Sequence, residues 1–168
     1  MLKTEFWNLI DETRKEAGDD GEAHVDTLNA ALKELEPNDL VSFQHWFDEY
    51  YDSADTWGVW GAAYVIGGGC SDDGFLDFKG WLVSRGEKVL TGAVADPDSL
   101  AKVVKAGEEC PVEGFQYAAQ WIWAQKTGKD FADFPVSPLP SSRDGIGGQP
   151  WQEDELGKLF PKLTKKFG

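Results

Sequence analysis

Apolar residues recur along most of the chain at the three- and four-residue spacing of an α-helix, and almost nothing alternates with the two-residue period of a β-strand. The first stripe, which includes Phe6 and Ile10, predicts a helix over about residues 5–17. Thr4 is its candidate N-cap, and Gly18 is the residue expected to stop it.

Two further stripes flank Pro37, which disfavours helical geometry in the residue before it and favours the first turn of a new helix. Their members are Val25, Leu28, Leu32 and Leu35, then Leu40, Phe43, Phe47 and Tyr50. The segment from Trp57 to Ile66 is apolar almost all round, which is typical of a helix buried on several sides. We expect this helix to lie at the centre of the protein.

Further helices are predicted after the glycine-rich turn that follows Ile66, after Gly86, at the sequence DPDSL and over about residues 112–126. In DPDSL, Asp96 is the expected N-cap and Pro97 the first helical residue. The pattern therefore predicts an all-α fold, a single-domain irregular or orthogonal bundle of about six or seven helices.

A change of composition divides the chain near its C-terminal end. The stretch FPVSPLPSSRDGIGGQP contains four of the eight prolines, which is typical of a linker. A short amphipathic pattern then resumes with Trp151, Leu156, Leu159 and Phe160. We therefore expect a helical domain over residues 1–134, a Pro/Gly-rich linker over 135–150 and a segment over 151–168 that docks back onto the domain.

The net charge of the chain limits the classes of molecule that are expected to bind it. The chain has 30 acidic and 16 basic residues, so its formal net charge is −14. Nucleic acids are not expected as partners, because their binding depends on Lys and Arg. The excess of acidic residues is explained either by solubility alone or by the binding of a partner protein with a basic surface. No apolar run approaches the roughly 20 residues that span a bilayer, and the start lacks signal-peptide features, so we expect a cytoplasmic protein that does not bind membranes.

Cysteine and histidine are too few for common cofactor sites. Two cysteines, two histidines and no CxxC sequence predict no disulfide framework, no structural zinc site and no cofactor. Tryptophan is abundant, with eight residues. Trp121 and Trp123 are two residues apart on one predicted helix, so they cannot face the same way, and at least one of them is expected at the surface or in a groove.

The densest group of polar residues is the stretch IGGGCSDDGF at 66–75. Its three glycines suit a tight turn, and Ser71, Asp72 and Asp73 suit the N-cap or the first turn of the next helix. We expect a basic residue from a neighbouring element to hold the two aspartates, because Arg85 is too far along the same helix to reach them. The functional alternatives are a phosphate cradle, a cation site that includes Asp77, and a nucleophilic Cys70.

The stretch WGVWGAAYVIGGGCSDDGFLDFKGWLVSRG, together with FWNLIDE before it and ADPDSLA after it, resembles the bacterial family known as domain of unknown function 4240. The resemblance extends from Phe6 to about Ala101 and, more faintly, to the closing FPKLTKKFG. It implies an intracellular bacterial domain with no established activity. It therefore assigns no catalytic residue.

These observations favour a non-enzymatic interaction module that presents an acidic face and an aromatic groove to a protein partner, in regulation, stress response or toxin neutralisation. The alternative is a small hydrolase or a ligand- or metal-binding enzyme with a pocket at the GGGCSDDGF turn. No catalytic residue or metal ligand is assigned. The candidate binding residues are Trp57, Trp60, Cys70, Ser71, Asp72, Asp73, Asp77 and Trp81.

Overall fold

Helices account for nearly all regular structure in the computed structural model, which describes residues 1–135 and 145–168. The α-helices are α1 (Lys3–Ala17), α2 (Gly21–Lys33), α3 (Pro37–Ser53), α4 (Trp57–Gly67), α5 (Asp72–Ser84), α6 (Glu87–Ala95), α7 (Ala118–Thr127), α8 (Leu156–Leu159) and α9 (Pro161–Phe167). Short 3-10 helices span Pro97–Lys102, Phe115–Tyr117, Phe131–Asp133 and Glu153–Glu155. No β-strand occurs in these described ranges, which confirms the predicted all-α class.

Several helix ends differ from the sequence prediction. The N-cap position of α1 is Leu2, so Thr4 lies inside the helix and was wrongly predicted to cap it. Gly18 does end α1, with φ 74°. The side chain of Asp96 forms no capping hydrogen bond, and the helix that follows it is of the 3-10 type. The predicted helix over 112–126 starts later, because Gly114 turns the backbone with φ 119°.

The helices form two neighbouring groups joined by α5. In one group α1 packs on α2 and α3, while α7 packs on α2 and α3. In the other group α4 contacts α6, α9 and the 3-10 helix Pro97–Lys102. Helix α5 contacts members of both groups, and its Phe78, Trp81 and Leu82 are almost completely buried. Helix α4 supplies only apolar or small residues to this core, as its composition predicts.

The C-terminal residues pack against α4. Phe160 and Leu163 are buried, and the indole Nε1 of Trp151 donates a 2.7 Å hydrogen bond to the carbonyl oxygen of Trp57. Before it reaches α4, the C-terminal segment passes the turn that precedes this helix. There Thr56 and Gly147 form an isolated parallel β-bridge. Of the linker predicted over 135–150, residues 136–144 lie outside the described part of the chain.

Asp98 connects the 3-10 helix Pro97–Lys102 to α9. Its buried carboxylate accepts hydrogen bonds from the backbone N–H groups of Lys162, at 3.1 Å, and Leu163, at 2.9 Å. These are amides of the first turn of α9, which have no acceptor within their own helix. A side chain more than 60 positions away in sequence therefore caps this helix.

His24 is a buried titratable group between α1 and α2. Its Nε2 lies 3.0 Å from the hydroxyl of Thr13, and its ring edge faces Phe115 at a centroid distance of 5.2 Å. Burial, together with the smaller effect of the positive charges of Arg14 and Arg85, lowers the pKa of His24 from 6.5 to about 4. The folded protein therefore holds His24 in its neutral form at neutral pH.

This burial makes stability depend on pH. The unfolded chain binds a proton at His24 as the pH falls below about 6.5, whereas the folded chain does not until about 4, so stability present above pH 6.5 is lost across this window. Between pH 7 and pH 5 the loss should be about 1 to 2 kcal/mol. Urea unfolding at the two pH values measures this loss of unfolding free energy. The comparison is between the wild type and His24→Gln, which keeps a polar side chain near Thr13. The variant should lose less stability over this range, and identical pH profiles would contradict the assignment.

Candidate functional site

The glycine-rich turn joins α4 to α5 by ordinary helix capping. Gly68 adopts a left-handed conformation with φ 65°, and the N–H of Gly69 donates to the carbonyl of Tyr64 at 2.8 Å. The hydroxyl oxygen of Ser71 accepts a 3.1 Å hydrogen bond from the N–H of Gly74. The predicted role of Ser71 as an N-cap is thus confirmed, and the turn is accounted for as the end of one helix and the start of another.

Asp72 and Asp73 are exposed on the first turn of α5. No lysine or arginine of the described residues forms an ion pair with either carboxylate. The expectation that a neighbouring basic residue holds them is therefore wrong, and Arg85 instead pairs with Glu108 at 3.5 Å. Each carboxylate interacts with the positive end of the helix dipole. This interaction stabilises the helix by about 0.3 to 1 kcal/mol for each carboxylate.

Cys70 lies against Trp60, whose indole Nε1 donates a 3.0 Å hydrogen bond to the carbonyl oxygen of Cys70. Burial raises the pKa of the Cys70 thiol above its ordinary value. A thiol activated as a nucleophile needs the opposite shift. His45 lines a different cavity, beside Asp48 and Phe131.

The tryptophans of the predicted site form part of the packing. Trp57 and Trp60 stack at a centroid distance of 5.3 Å, and the edge of Trp151 meets Trp57 at 6.1 Å and Trp60 at 6.4 Å. Trp81 is 2 % exposed. The aromatic cluster therefore receives the C-terminal segment of the same chain, and it does not form an open groove.

Asp77 is the predicted site residue that lines a large depression. The depression lies between α2 and α7, has a volume of about 930 Å³ and is bordered by the loop 109–114. We call it the α2–α7 groove. The side-chain Nε2 of Gln116 donates a 2.8 Å hydrogen bond to Asp77 and holds its carboxylate at the edge of the groove. Val25 and Ile122 contribute the apolar part of its surface.

Acidic side chains dominate the lining of the α2–α7 groove. Its charged residues are Glu22, Asp26, Asp77, Glu109 and Glu113, opposed by Lys33 alone, which gives a formal charge of −4. Glu22 and Asp26 are exposed one helical turn apart on α2, while Glu109 and Glu113 come from the loop 109–114. Two separate segments of the chain therefore contribute negative charge to the groove.

Exposed aromatic rings form the opposite wall. Tyr117 and Trp121, four residues apart, are 43 % and 57 % exposed. Trp121 packs against Phe131 at a centroid distance of 4.7 Å. Trp123 is 4 % exposed, which confirms that the two tryptophans of α7 face different ways. The groove thus combines carboxylates with accessible aromatic faces.

The loop 109–114 packs closely on α2 and gives the groove a defined wall. Val112 is buried against Gly21, where an added Cβ would lie 2.6 Å from a Val112 methyl group. At Gly114, which also has φ 119°, an added Cβ would lie 3.1 Å from Val25. These two glycines allow the backbone segments to approach.

Sequence reasoning named Asp77, although as part of a candidate site at the GGGCSDDGF turn, and expected at least one of Trp121 and Trp123 at the surface or in a groove. It missed the other residues of the α2–α7 groove. The four-residue spacing of Glu22 to Asp26 and of Tyr117 to Trp121 marks a single helix face in each case. Neither spacing indicates that the two faces oppose each other. That information lies in the packing of α2 against α7.

In 1–135 and 145–168 there is no group of three or more His, Cys, Asp or Glu side chains arranged to hold a metal ion. The same residues contain no helix with the length and apolar character needed to cross a membrane.

Comparison with known proteins gives one match. No curated protein and no solved structure is significantly similar to this chain. A family model described as "Protein of unknown function (DUF4240)" matches residues 1–125, which include α1 to α6 and most of α7. Because this match covers well over half of the 168 residues, the chain belongs to the DUF4240 family.

Proposed function

We propose that this protein is a non-enzymatic interaction module whose α2–α7 groove binds a Lys- and Arg-rich segment of a partner protein. The observation that carries the proposal is the position of Trp121, an exposed indole that borders a groove of formal charge −4. An acidic surface alone is explained by solubility. A large exposed aromatic side chain within it is not, because such residues are typical anchors of protein interfaces.

The chemistry of the two walls suits cationic side chains. An ammonium or guanidinium group over an aromatic face gains about 0.5 to 2 kcal/mol, and nearby carboxylates add ion pairs. Tyr117 and Trp121 provide the faces, and Glu22 and Asp26 provide carboxylates across the groove. A volume of about 930 Å³ accommodates several side chains of an extended peptide.

The alternative enzyme reading has less support. Its pocket was predicted at the GGGCSDDGF turn, where Asp72 and Asp73 are exposed and Cys70 has a raised thiol pKa. We therefore favour the binding module. We also propose a cytoplasmic location. We propose no nucleic-acid partner, because a net charge of −14 repels phosphate polymers. The identity of the basic partner then decides between regulation, stress response and toxin neutralisation.

Charge reversal in the groove tests the proposal. The double variant Glu22→Lys/Asp26→Lys should weaken binding of a fluorescein-labelled peptide of alternating Arg and Ala by more than about tenfold at 0.15 M salt, measured by fluorescence anisotropy. The matched control, Glu12→Lys/Glu16→Lys, changes the net charge equally on an exposed face of α1. It should weaken binding by less than about threefold, because the charges are screened over distance.

A second variant separates specific binding from general attraction. Trp121→Ala should weaken peptide binding at least about fivefold while leaving the melting temperature nearly unchanged, because more than half of this side chain is exposed. Equal losses in both charge-reversal variants, or undiminished binding by Trp121→Ala, would show that the peptide is held only by overall charge.

A further inference from the structure

A second groove has the opposite charge. It lies where α1 passes the junction between α5 and α6 and has a volume of about 480 Å³. Its charged residues are Lys3, Arg14, Arg85 and Lys88, opposed by Asp11 and Glu87, which gives a formal charge of +2. In a chain of net charge −14, this local excess of positive charge is unusual. We call it the α1–α6 groove.

Three buried N–H donors without a partner belong to residues that line this groove. They are Nε1 of Trp7, Nε of Arg14 and Nε of Arg85, and they make up half of the buried side-chain polar atoms without a partner in the described part of the chain. Trp7 itself is 5 % exposed. Each unsatisfied buried donor is unfavourable by about 1 to 3 kcal/mol, and the three residues that carry these donors border one groove, which favours an acceptor bound there.

The ion pairs already present leave these three donors unused. Arg14 pairs with Asp11 through its terminal Nη2, at 3.2 Å, and Arg85 pairs with Glu108 through Nη1, at 3.5 Å. Lys3 Nζ pairs with Glu87 at 2.8 Å. The carboxylates of the chain therefore pair only with the terminal nitrogens of these basic side chains. The Nε–H groups of Arg14 and Arg85 remain without an acceptor.

The N-terminus of α6 borders the same groove. This nine-residue helix begins after Gly86, which has φ 96° and provides no side-chain cap. Among the described residues, no side chain accepts a hydrogen bond from the N–H groups of Glu87, Lys88 or Val89. These amides and the helix dipole favour an anion, and the carboxylate of Asp11 lies beside them, with its Oδ1 2.7 Å from the position of a Cβ added at Gly86. The positive potential also acts on His24, whose pKa is lowered in part by Arg14 and Arg85.

We propose that the α1–α6 groove binds a phosphate group, either free inorganic phosphate or the phosphate of a small molecule. A tetrahedral oxyanion presents several acceptors in different directions, which suits an indole N–H, two guanidinium groups and a helix N-terminus better than a planar carboxylate does. The site is separate from the α2–α7 groove and does not depend on the proposed function.

Indole resonances provide a direct test. In ¹⁵N-labelled protein each of the eight tryptophans gives one indole N–H signal, and Trp7→Phe identifies that of Trp7. Titration with sodium phosphate against sodium chloride at constant ionic strength should shift the Trp7 signal saturably below about 10 mM, while the signal of exposed Trp121 stays in place. Phenyl phosphate as a second titrant distinguishes the sources, because tighter binding than inorganic phosphate indicates an esterified ligand.

Arginine variants complete the test. Arg14→Lys keeps the positive charge but removes the Nε donor, and it should weaken phosphate binding at least about fivefold. Lys126→Gln removes an exposed charge from α7 and should leave phosphate binding unchanged. Because Arg14 is partly exposed, its variant should fold even if Arg85→Lys does not. A Trp7 signal that does not move, or that moves equally in Arg14→Lys, would overturn the proposal.

Discussion

Replacing Phe160 by alanine is expected to lower the free energy of unfolding by about 3 to 5 kcal/mol. Phe160 is 5 % exposed, and its ring packs against Gly61 of α4. Removing the ring leaves a cavity that the rigid neighbouring helices cannot fill. Leu159, the preceding residue, is 52 % exposed, so Leu159→Ala provides a matched control with an expected loss below about 1 kcal/mol.

Chemical denaturation of the two single variants measures this difference, and a double-mutant cycle with Gly61 identifies its origin. A Cβ at position 61 would lie 2.5 Å from Phe160 Cε2 and 2.9 Å from Trp151 Nε1, so Gly61→Ala should destabilise the wild type by about 1 to 3 kcal/mol. The penalty should be smaller when Phe160 is already alanine. Equal penalties in both backgrounds would mean that the ring does not occupy this position in solution.

Replacing Asp98 by alanine is expected to lower the free energy of unfolding by about 3 kcal/mol. The change removes the buried acceptor of the Lys162 and Leu163 amides and leaves these N–H groups without a partner. Asp98→Asn retains one neutral acceptor oxygen and should recover part of the loss.

Asp96 offers the control for this effect. It lies two residues earlier, is exposed and forms no capping hydrogen bond with its side chain, so Asp96→Ala should change stability by less than about 0.5 kcal/mol. Thermal and urea unfolding of the three variants provide the comparison. Equal losses for Asp96→Ala and Asp98→Ala would show that the effect comes from charge near the 3-10 helix and not from capping α9.

The sequence pattern predicts the local structure well because helical periodicity and glycine stops are local properties. Gly18, Gly68 and Gly128 each end a helix in the structure, and α4 is surrounded by other elements as its apolar composition indicates. Some helix ends were placed wrongly, as at Thr4 and Gly114, and a further error arose where a residue acts at a distance. Asp98 lies at the predicted helix start DPDSL, but its carboxylate caps α9, far along the chain.

The candidate site was harder to predict for the same reason. The stretch around Asp72 attracted attention because it concentrates polar residues in sequence, yet local capping explains it. The α2–α7 groove is assembled from residues between Glu22 and Gln125, and the α1–α6 groove from residues between Lys3 and Val89. Only the pairing of distant helices brings these side chains together, and periodicity contains no information about that pairing.

The contact between Gly61 and Phe160 has an evolutionary consequence. The two positions belong to segments that meet only in the folded chain, and the second lies beyond the part matched by the family model. A family member that acquires a larger side chain at the first position must lose volume at the second, or lose the association of its tail with the rest of the chain. The side chain that position 61 can accommodate is thus limited by a ring from the last segment of the chain.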